Sequence, residues 1–183
     1  MKINFKTCTI PELWKYIATN LARNGVDVVL VGGAVVSIYT EGAYVSGDLD
    51  FVLNDLSRKK LDEVLGDLGF NKEGRFYKHP DCQHLFVEFA TFPVSIGDDT
   101  QIVPAQEVLE GTVIKLFSPT DCIRDRLASY IHFKAKDCLD QAVMVAQRHP
   151  HDIKKIREWC QKEGGEKQFQ DFVERIKNKG SSK

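Results

Sequence analysis

The stretch VGGAVVSIYTEGAYVSGDLDFVL, residues 31–53, carries the pattern on which the fold turns. It starts at the end of an apolar, mostly β-branched run, Val26 to Val31. That run is too short for a helix and is bounded by glycines, so it reads as a buried strand. Gly32-Gly33 turns the chain, and Ala34 to Thr40 reads as a short helix ending at Glu41-Gly42. A glycine pair between strand and helix lets backbone N–H groups approach an anion, with the helix dipole in support; a plain tight turn is the other reading. Leu49 to Leu53 is the next strand, with Asp48 and Asp50 at its start. Alternate strand residues point the same way, so the two carboxylates project from one face. They repel each other unless a cation lies between them, and an all-oxygen donor set suits Mg²⁺ or Mn²⁺; the alternative is a solvated strand edge.

Upstream, Thr9-Ile10-Pro11-Glu12 has the form of a capping box with proline in the first turn. The helix it opens carries Leu13, Ile17 and Leu21 on one face and stops near Asn24-Gly25. Downstream, Ser57 begins an amphipathic helix with Leu61, Val64, Leu65 and Leu68 inward, and Phe70 to His79 resembles a hairpin broken at Glu73-Gly74. His84 to Ala90 (HLFVEFA) alternates as a strand, with Leu85, Val87 and Phe89 on one face and His84, Phe86 and Glu88 on the other. A carboxylate within so apolar a strand is costly to bury unless paired or metal-bound, or else Glu88 faces water. Gly97-Asp98-Asp99 and Glu110-Gly111 are turn signals around two further strands, the second being Thr112 to Phe117. From Ser118 the pattern is helical, with breaks near Lys134-Ala135, His149-Pro150 and Gly164-Gly165. The expected fold class is therefore mixed α/β (α+β): residues 1–117 form a sheet with flanking helices, and residues 118–183 a C-terminal helical subdomain.

Composition excludes several classes. The 183 residues suit one domain, or one with a small appendage, and 43% hydrophobic with 28% charged residues is ordinary globular usage. The longest apolar run, Val28 to Val36, contains two glycines and is far short of the roughly 20 residues of a membrane helix. The start, MKINFKTCTIPEL, has no apolar signal core, so a cytoplasmic protein is expected. Five widely spaced cysteines without a CxxC argue against a disulfide framework and a zinc knuckle. The net charge of −1 hides a division: residues 1–117 hold 11 Lys+Arg against 16 Asp+Glu, and residues 118–183 hold 14 against 10. Such a split fits a front that holds cations and a back that meets phosphate, and it also arises by chance.

The order strand–GG–helix–DxD strand–later acidic strand resembles the nucleotidyltransferase superfamily, with its polymerase-β-like fold. Within it the chain is similar to the minimal, AbiEii-type bacterial nucleotidyltransferases of abortive-infection and toxin–antitoxin systems. The likeness spans about residues 10–160, including SPTDCIRDRLASYIHFKAKDCLDQAVMVA, with its specific part in residues 30–53. It implies transfer of NMP from an NTP to an acceptor hydroxyl on RNA such as tRNA, on a protein or on a small molecule. Asp48, Asp50 and Glu88 would hold one or two Mg²⁺ (or Mn²⁺) ions, with Glu88 also taking the acceptor proton. Amides of Gly32 and Gly33 would hold phosphate, with Ser46 as helper; Arg126, Lys134 and Lys136 would supply positive charge. Two positions depart from the family pattern: Gly33 stands where many relatives carry a phosphate-contacting serine, and Arg126 where a lysine is common. Arginine clamps phosphate but does not replace a proton-donating lysine, so the second reading is a catalytically inactive binding protein or antitoxin on the same fold.

Other readings are weaker. A haloacid-dehalogenase-like phosphatase needs its aspartates directly after a hydrophobic strand, whereas here Asp48 and Asp50 start one. His79-Pro80-Asp81-Cys82-Gln83-His84 reads as a loop with incidental histidines. Cys82, His84 and Glu88 would share a strand face, but their spacing matches no standard zinc pattern. Lys154-Lys155-Ile156-Arg157 reads as a solvated helix face.

Overall fold

Thr9 caps the first helix, α1 (Ile10–Arg23): its hydroxyl accepts from the Glu12 amide while its own N–H donates to Glu12 Oε2 at 2.8 Å. The expected Leu13, Ile17 and Leu21 are all fully buried. The computed structural model describes residues 2–53, 58–91 and 93–180. Strand β1 (Val28–Val31) is two residues shorter than the apolar run. Val26 N–H instead bonds back to the Leu21 carbonyl, and the Asp27 carboxylate accepts from Lys115 Nζ at 2.8 Å. Helix α2 (Gly32–Tyr39) begins at Gly32 itself, whose φ of +72° makes the turn. β2 (Asp48–Leu53) and α3 (Arg58–Asp67) follow; Ser57, the expected helix start, lies outside the described residues.

The hairpin β3 (Asn71–Glu73) and β4 (Phe76–His79) leads into the long β5 (Cys82–Thr91). Cys82 and Gln83, expected as loop before the strand at His84, are thus strand as well, because they continue the pairing with β4 at His79↔Cys82. β6 (Ala105–Leu109) and β7 (Thr112–Leu116) form a second hairpin, turned at Glu110 and Gly111 with φ of +49° and +75°. Among the described residues these strands make one mixed sheet of order β3-β4-β5-β2-β1-β7-β6. β2 runs antiparallel to β1 but parallel to β5, and β1 runs parallel to β7. Inside, Phe51 stacks on its cross-strand partner Phe89 with ring centroids 5.1 Å apart.

Helices α4 (Pro119–Phe133), α5 (Lys136–Ala146), α6 (Ile153–Lys162) and α7 (Glu166–Gly180) break where expected. Lys134 ends α4 in the left-handed region at φ +56°. These helices share one buried cluster with the sheet, from Cys8 to Phe172. Two bonds fasten them: the Tyr39 hydroxyl donates to the Phe117 carbonyl (2.7 Å), and His149 Nε2–H donates to the Tyr39 carbonyl (2.7 Å). Arg124, 1% exposed, bridges Asp121 of α4 and Asp99 of the segment before β6; Lys155 of α6 also reaches Asp121 at 3.1 Å. Trp159 Nε1–H donates to the Ile96 carbonyl at 3.0 Å, so the segment holding Ile96 and Asp99 is tied down by α4 and α6 together. Among the described residues no helix is long and apolar enough to cross a membrane.

Candidate active site

Register brings the acidic residues together. β1, β2 and β5 are neighbours, and Val31, Asp50 and Glu88 lie level across them. Side chains at one level of adjacent strands share a face, so Asp50 and Glu88 project to the same side, which the sequence alone left open. Asp48 lies one pleat earlier, opposite Phe86. Behind this face Leu49, Phe51, Val87 and Phe89 are buried, which fixes the outward direction of the acids.

Gly32, Asp50, Glu88, Asp125 and Arg126 line one cleft of about 250 Å³. Gly32 lies so close to the acid that a Cβ there would sit 2.7 Å from Asp50 Oδ2. With φ at +72° as well, the position admits only glycine without strain. At Gly33 a Cβ would meet Ser46 Oγ at 2.9 Å and the Tyr44 hydroxyl at 3.3 Å. Ser46 Oγ in turn donates to Asp48 Oδ1 at 2.9 Å, and its N–H donates to Ser37 Oγ at 2.9 Å. The space of a residue-33 side chain is therefore filled by a hydroxyl from the loop before β2.

Charge in the cleft is unbalanced. Burial, then the carboxylates of Asp48 and Glu88, push the Asp50 carboxyl up from its ordinary value to about 6, and Arg126 only partly opposes them. Arg126 comes from α4 and is held by Asp125 at 2.6 Å and Gln141 at 3.4 Å; Asp125 holds the guanidinium pKa above its usual value despite burial. Glu88 is met by Arg75 Nε at 3.4 Å, reaching over from the β3–β4 turn. Among the described residues the ligand atoms of Asp48, Asp50 and Glu88 are not all gathered within 4.8 Å of one another; Cys8, Cys82 and His84 are. Ser46 holds Asp48 and Arg75 holds Glu88, the outer two of the three acids. An all-oxygen set on one face, with a central carboxyl destabilised by its own neighbours, fits a hard divalent cation.

Of the residues picked from sequence, Gly32, Asp50, Glu88 and Arg126 surround the cleft, and Gly33, Ser46 and Asp48 adjoin it through the contacts above. Lys134 and Lys136 are exposed at the α4–α5 turn and do not line it. Sequence reasoning missed Arg75, Tyr44 and Asp125. The signal for Arg75 was in the hairpin: a turn at Glu73-Gly74 sets Phe76 opposite Glu88 and brings its neighbour within reach.

No family model matches the sequence, and no curated protein does. Solved structures do match. A crystal structure of an antigenic nucleotidyltransferase-like protein from Paracoccidioides brasiliensis aligns over 74% of each chain, with 18% identity and a TM-score of 0.56. A crystal structure of ANT(2")-Ia in complex with adenylyl-2"-tobramycin aligns over 89% of this chain and 96% of that one, with 15% identity and a TM-score of 0.52. At these identities the likeness concerns the path of the chain: the fold is nucleotidyltransferase-like.

Proposed function

We propose that this chain transfers a nucleotidyl group from an NTP to an acceptor hydroxyl at the cleft of Asp48, Asp50 and Glu88. The observation that carries the reading is the level placement of Asp50 and Glu88 beside the Gly32 turn, with Arg126 across the cleft. Asp48 and Asp50 would hold Mg²⁺ or Mn²⁺, with Glu88 completing the set. The bound cation supplies neutralisation of triphosphate charge in the transition state. The first-turn amides of α2 at Gly32 and Gly33 hold phosphate oxygens, favoured by the helix dipole. The acceptor hydroxyl oxygen attacks the α-phosphorus and its proton passes to Glu88. The bond from the α-phosphorus to the bridging oxygen breaks, and pyrophosphate leaves. Arg126, pre-set by Asp125 and Gln141, clamps phosphate from the helical side.

In this reading residues 1–117 do the chemistry, while residues 118–183 close the cleft and select the acceptor, with Lys134 and Lys136 as exposed positive charge at the α4–α5 turn. Ser46 takes the part of the serine that many relatives carry at the Gly33 position, because its hydroxyl already occupies that space. The AbiEii-type likeness makes a minimal bacterial enzyme of a defence or toxin–antitoxin system our preferred setting. The Arg75–Glu88 pair favours one second reading, a nucleotide-binding protein without turnover, since it occupies the proton acceptor.

One experiment tests both. Purified protein is incubated with each α-labelled NTP, Mg²⁺ and three acceptor pools: total RNA, cell extract and an aminoglycoside. Labelled product that disappears with Asp48→Ala or Asp50→Ala supports transfer. NTP·Mg²⁺ binding without label transfer selects the binding protein, and neither binding nor transfer overturns the site.

A further inference from the structure

Away from the cleft, Cys8, just before α1, meets Cys82 and His84 on β5. The two sulfurs are 3.8 Å apart, Cys82 Sγ is 3.9 Å from His84 Nδ1, and the ligand atoms of all three residues lie within 4.8 Å of one another. A tetrahedral zinc ion with bonds of about 2.3 Å to sulfur and about 2.0 Å to nitrogen needs S···S near 3.8 Å and S···N near 3.5 Å. Two edges of that tetrahedron are thus present to within a few tenths of an ångström. The other ring nitrogen, His84 Nε2, is 2.8 Å from the Cys8 carbonyl. A carbonyl only accepts, so Nε2 carries the proton and Nδ1 presents its lone pair to the sulfurs. This is the outer bond by which metal-bound histidines are usually oriented. Both cysteines are buried while His84 reaches the surface. Cys8 and His84 also line a largely apolar cavity of about 300 Å³.

We propose that Cys8, Cys82 and His84 form a zinc site of the Cys₂His type, with water or an exchangeable ligand in the fourth place. Soft sulfur donors and one imidazole select zinc over the hard cations suited to the carboxylate cleft, so the two sites do not compete for metal. The ion would join residues 74 apart in sequence, pinning the segment before α1 to the sheet. That segment already leans on β4 through the stacking of Phe5 on His79, with centroids 3.6 Å apart.

The test uses the full chain purified under reducing conditions. Zn²⁺ titration against a chromophoric chelator is expected to show one ion per chain, and Co²⁺ to give a thiolate-to-cobalt charge-transfer band. Zn²⁺ should also raise the melting temperature. Cys82→Ser should lose at least about a hundredfold in affinity and His84→Ala at least about tenfold, while Cys138→Ser binds as the parent does. His84 is exposed, so its variant remains informative if the cysteine variants fold poorly. Equal zinc affinity in His84→Ala and the parent, no charge-transfer band in the parent, or a Cys8–Cys82 disulfide that persists through purification under reducing conditions would overturn the site.

Discussion

Asp50 of β2 and Glu88 of β5 lie level on neighbouring parallel strands, both facing the cleft that Gly32 and Arg126 border. This pairing destabilises ionised Asp50, whose carboxyl is raised to about 6 by burial first, then by Asp48 and Glu88. A folded-state value above the unfolded one means that the folded chain binds the proton more tightly. The stability from Asp50 is therefore full below its ordinary value, near 4, and is lost as pH rises through about 6. Asp50→Asn removes the charge, so at pH 8 it is expected to stabilise the fold by about 1–2 kcal/mol, screening at a partly open site included. Urea unfolding at pH 8 and pH 4 checks this: the gain should appear at the higher pH and shrink at the lower.

A cation should reverse that cost. Adding Mg²⁺ at pH 8 is expected to raise the melting temperature of the parent, because it binds the folded state alone. As pH falls below about 6, Asp50 takes up its proton and the Mg²⁺ effect should fade, together with any nucleotidyl transfer. Asp50→Asn should show no Mg²⁺ effect at either pH. Scanning fluorimetry with and without chelator reads all of these states.

Much of this was legible beforehand because it rests on local signals. The period-2 alternation of HLFVEFA set Glu88 on the face opposite Leu85, Val87 and Phe89, and the breaks at Lys134, Pro150 and Gly164 divided the helical segment. What stayed hidden depends on pairing across the chain. The strand order, with β5 next to β2 and β1 between β2 and β7, is set by long-range packing that no window of sequence carries. Cys8 approaches Cys82 for the same reason, and Cys82 and Gln83 read as loop because proline and aspartate precede a strand that starts earlier than its apolar core. Ser46 was picked only as a helper; its place in the space beside Gly33 needed the loop path.

Arg75 should restrain Glu88. The pair is exposed on the arginine side, at 71%, so its contribution to stability is small and Arg75→Ala is expected to change unfolding free energy by less than about 0.5 kcal/mol. Its effect belongs to the site: with Glu88 released, half-saturation by Mg²⁺ or Mn²⁺ should shift severalfold to lower concentration. Fluorimetric metal titration of both proteins checks this. An unchanged midpoint would show that the pair does not compete with a cation.

Arg124 serves the fold. It is buried with Asp121 and Asp99, and Lys155 covers Asp121 from α6. Arg124→Ala leaves a buried carboxylate short of its cation, an effect of about 3–5 kcal/mol. Denaturant titration should show that loss, while Lys155→Ala, at the exposed edge, should lose less than about 1 kcal/mol.

The space shared by Gly33 and Ser46 permits an exchange. Gly33→Ser alone places a Cβ 2.9 Å from Ser46 Oγ, which is held to Asp48, so the new side chain must displace Ser46 and with it the Asp48 carboxylate. Stability and transfer should both fall. Ser46→Ala alone keeps the fold but removes the hydroxyl, and transfer should drop about tenfold or more if that hydroxyl contacts phosphate. The double variant Gly33→Ser/Ser46→Ala removes the obstructing oxygen and returns a hydroxyl from the helix side. It is expected to recover at least part of the stability lost in Gly33→Ser and to transfer better than either single variant. Strictly additive losses would mean that the two positions do not share a role. Steady-state label transfer and melting temperature on the four proteins, run as a double-mutant cycle, decide between coupling and independence.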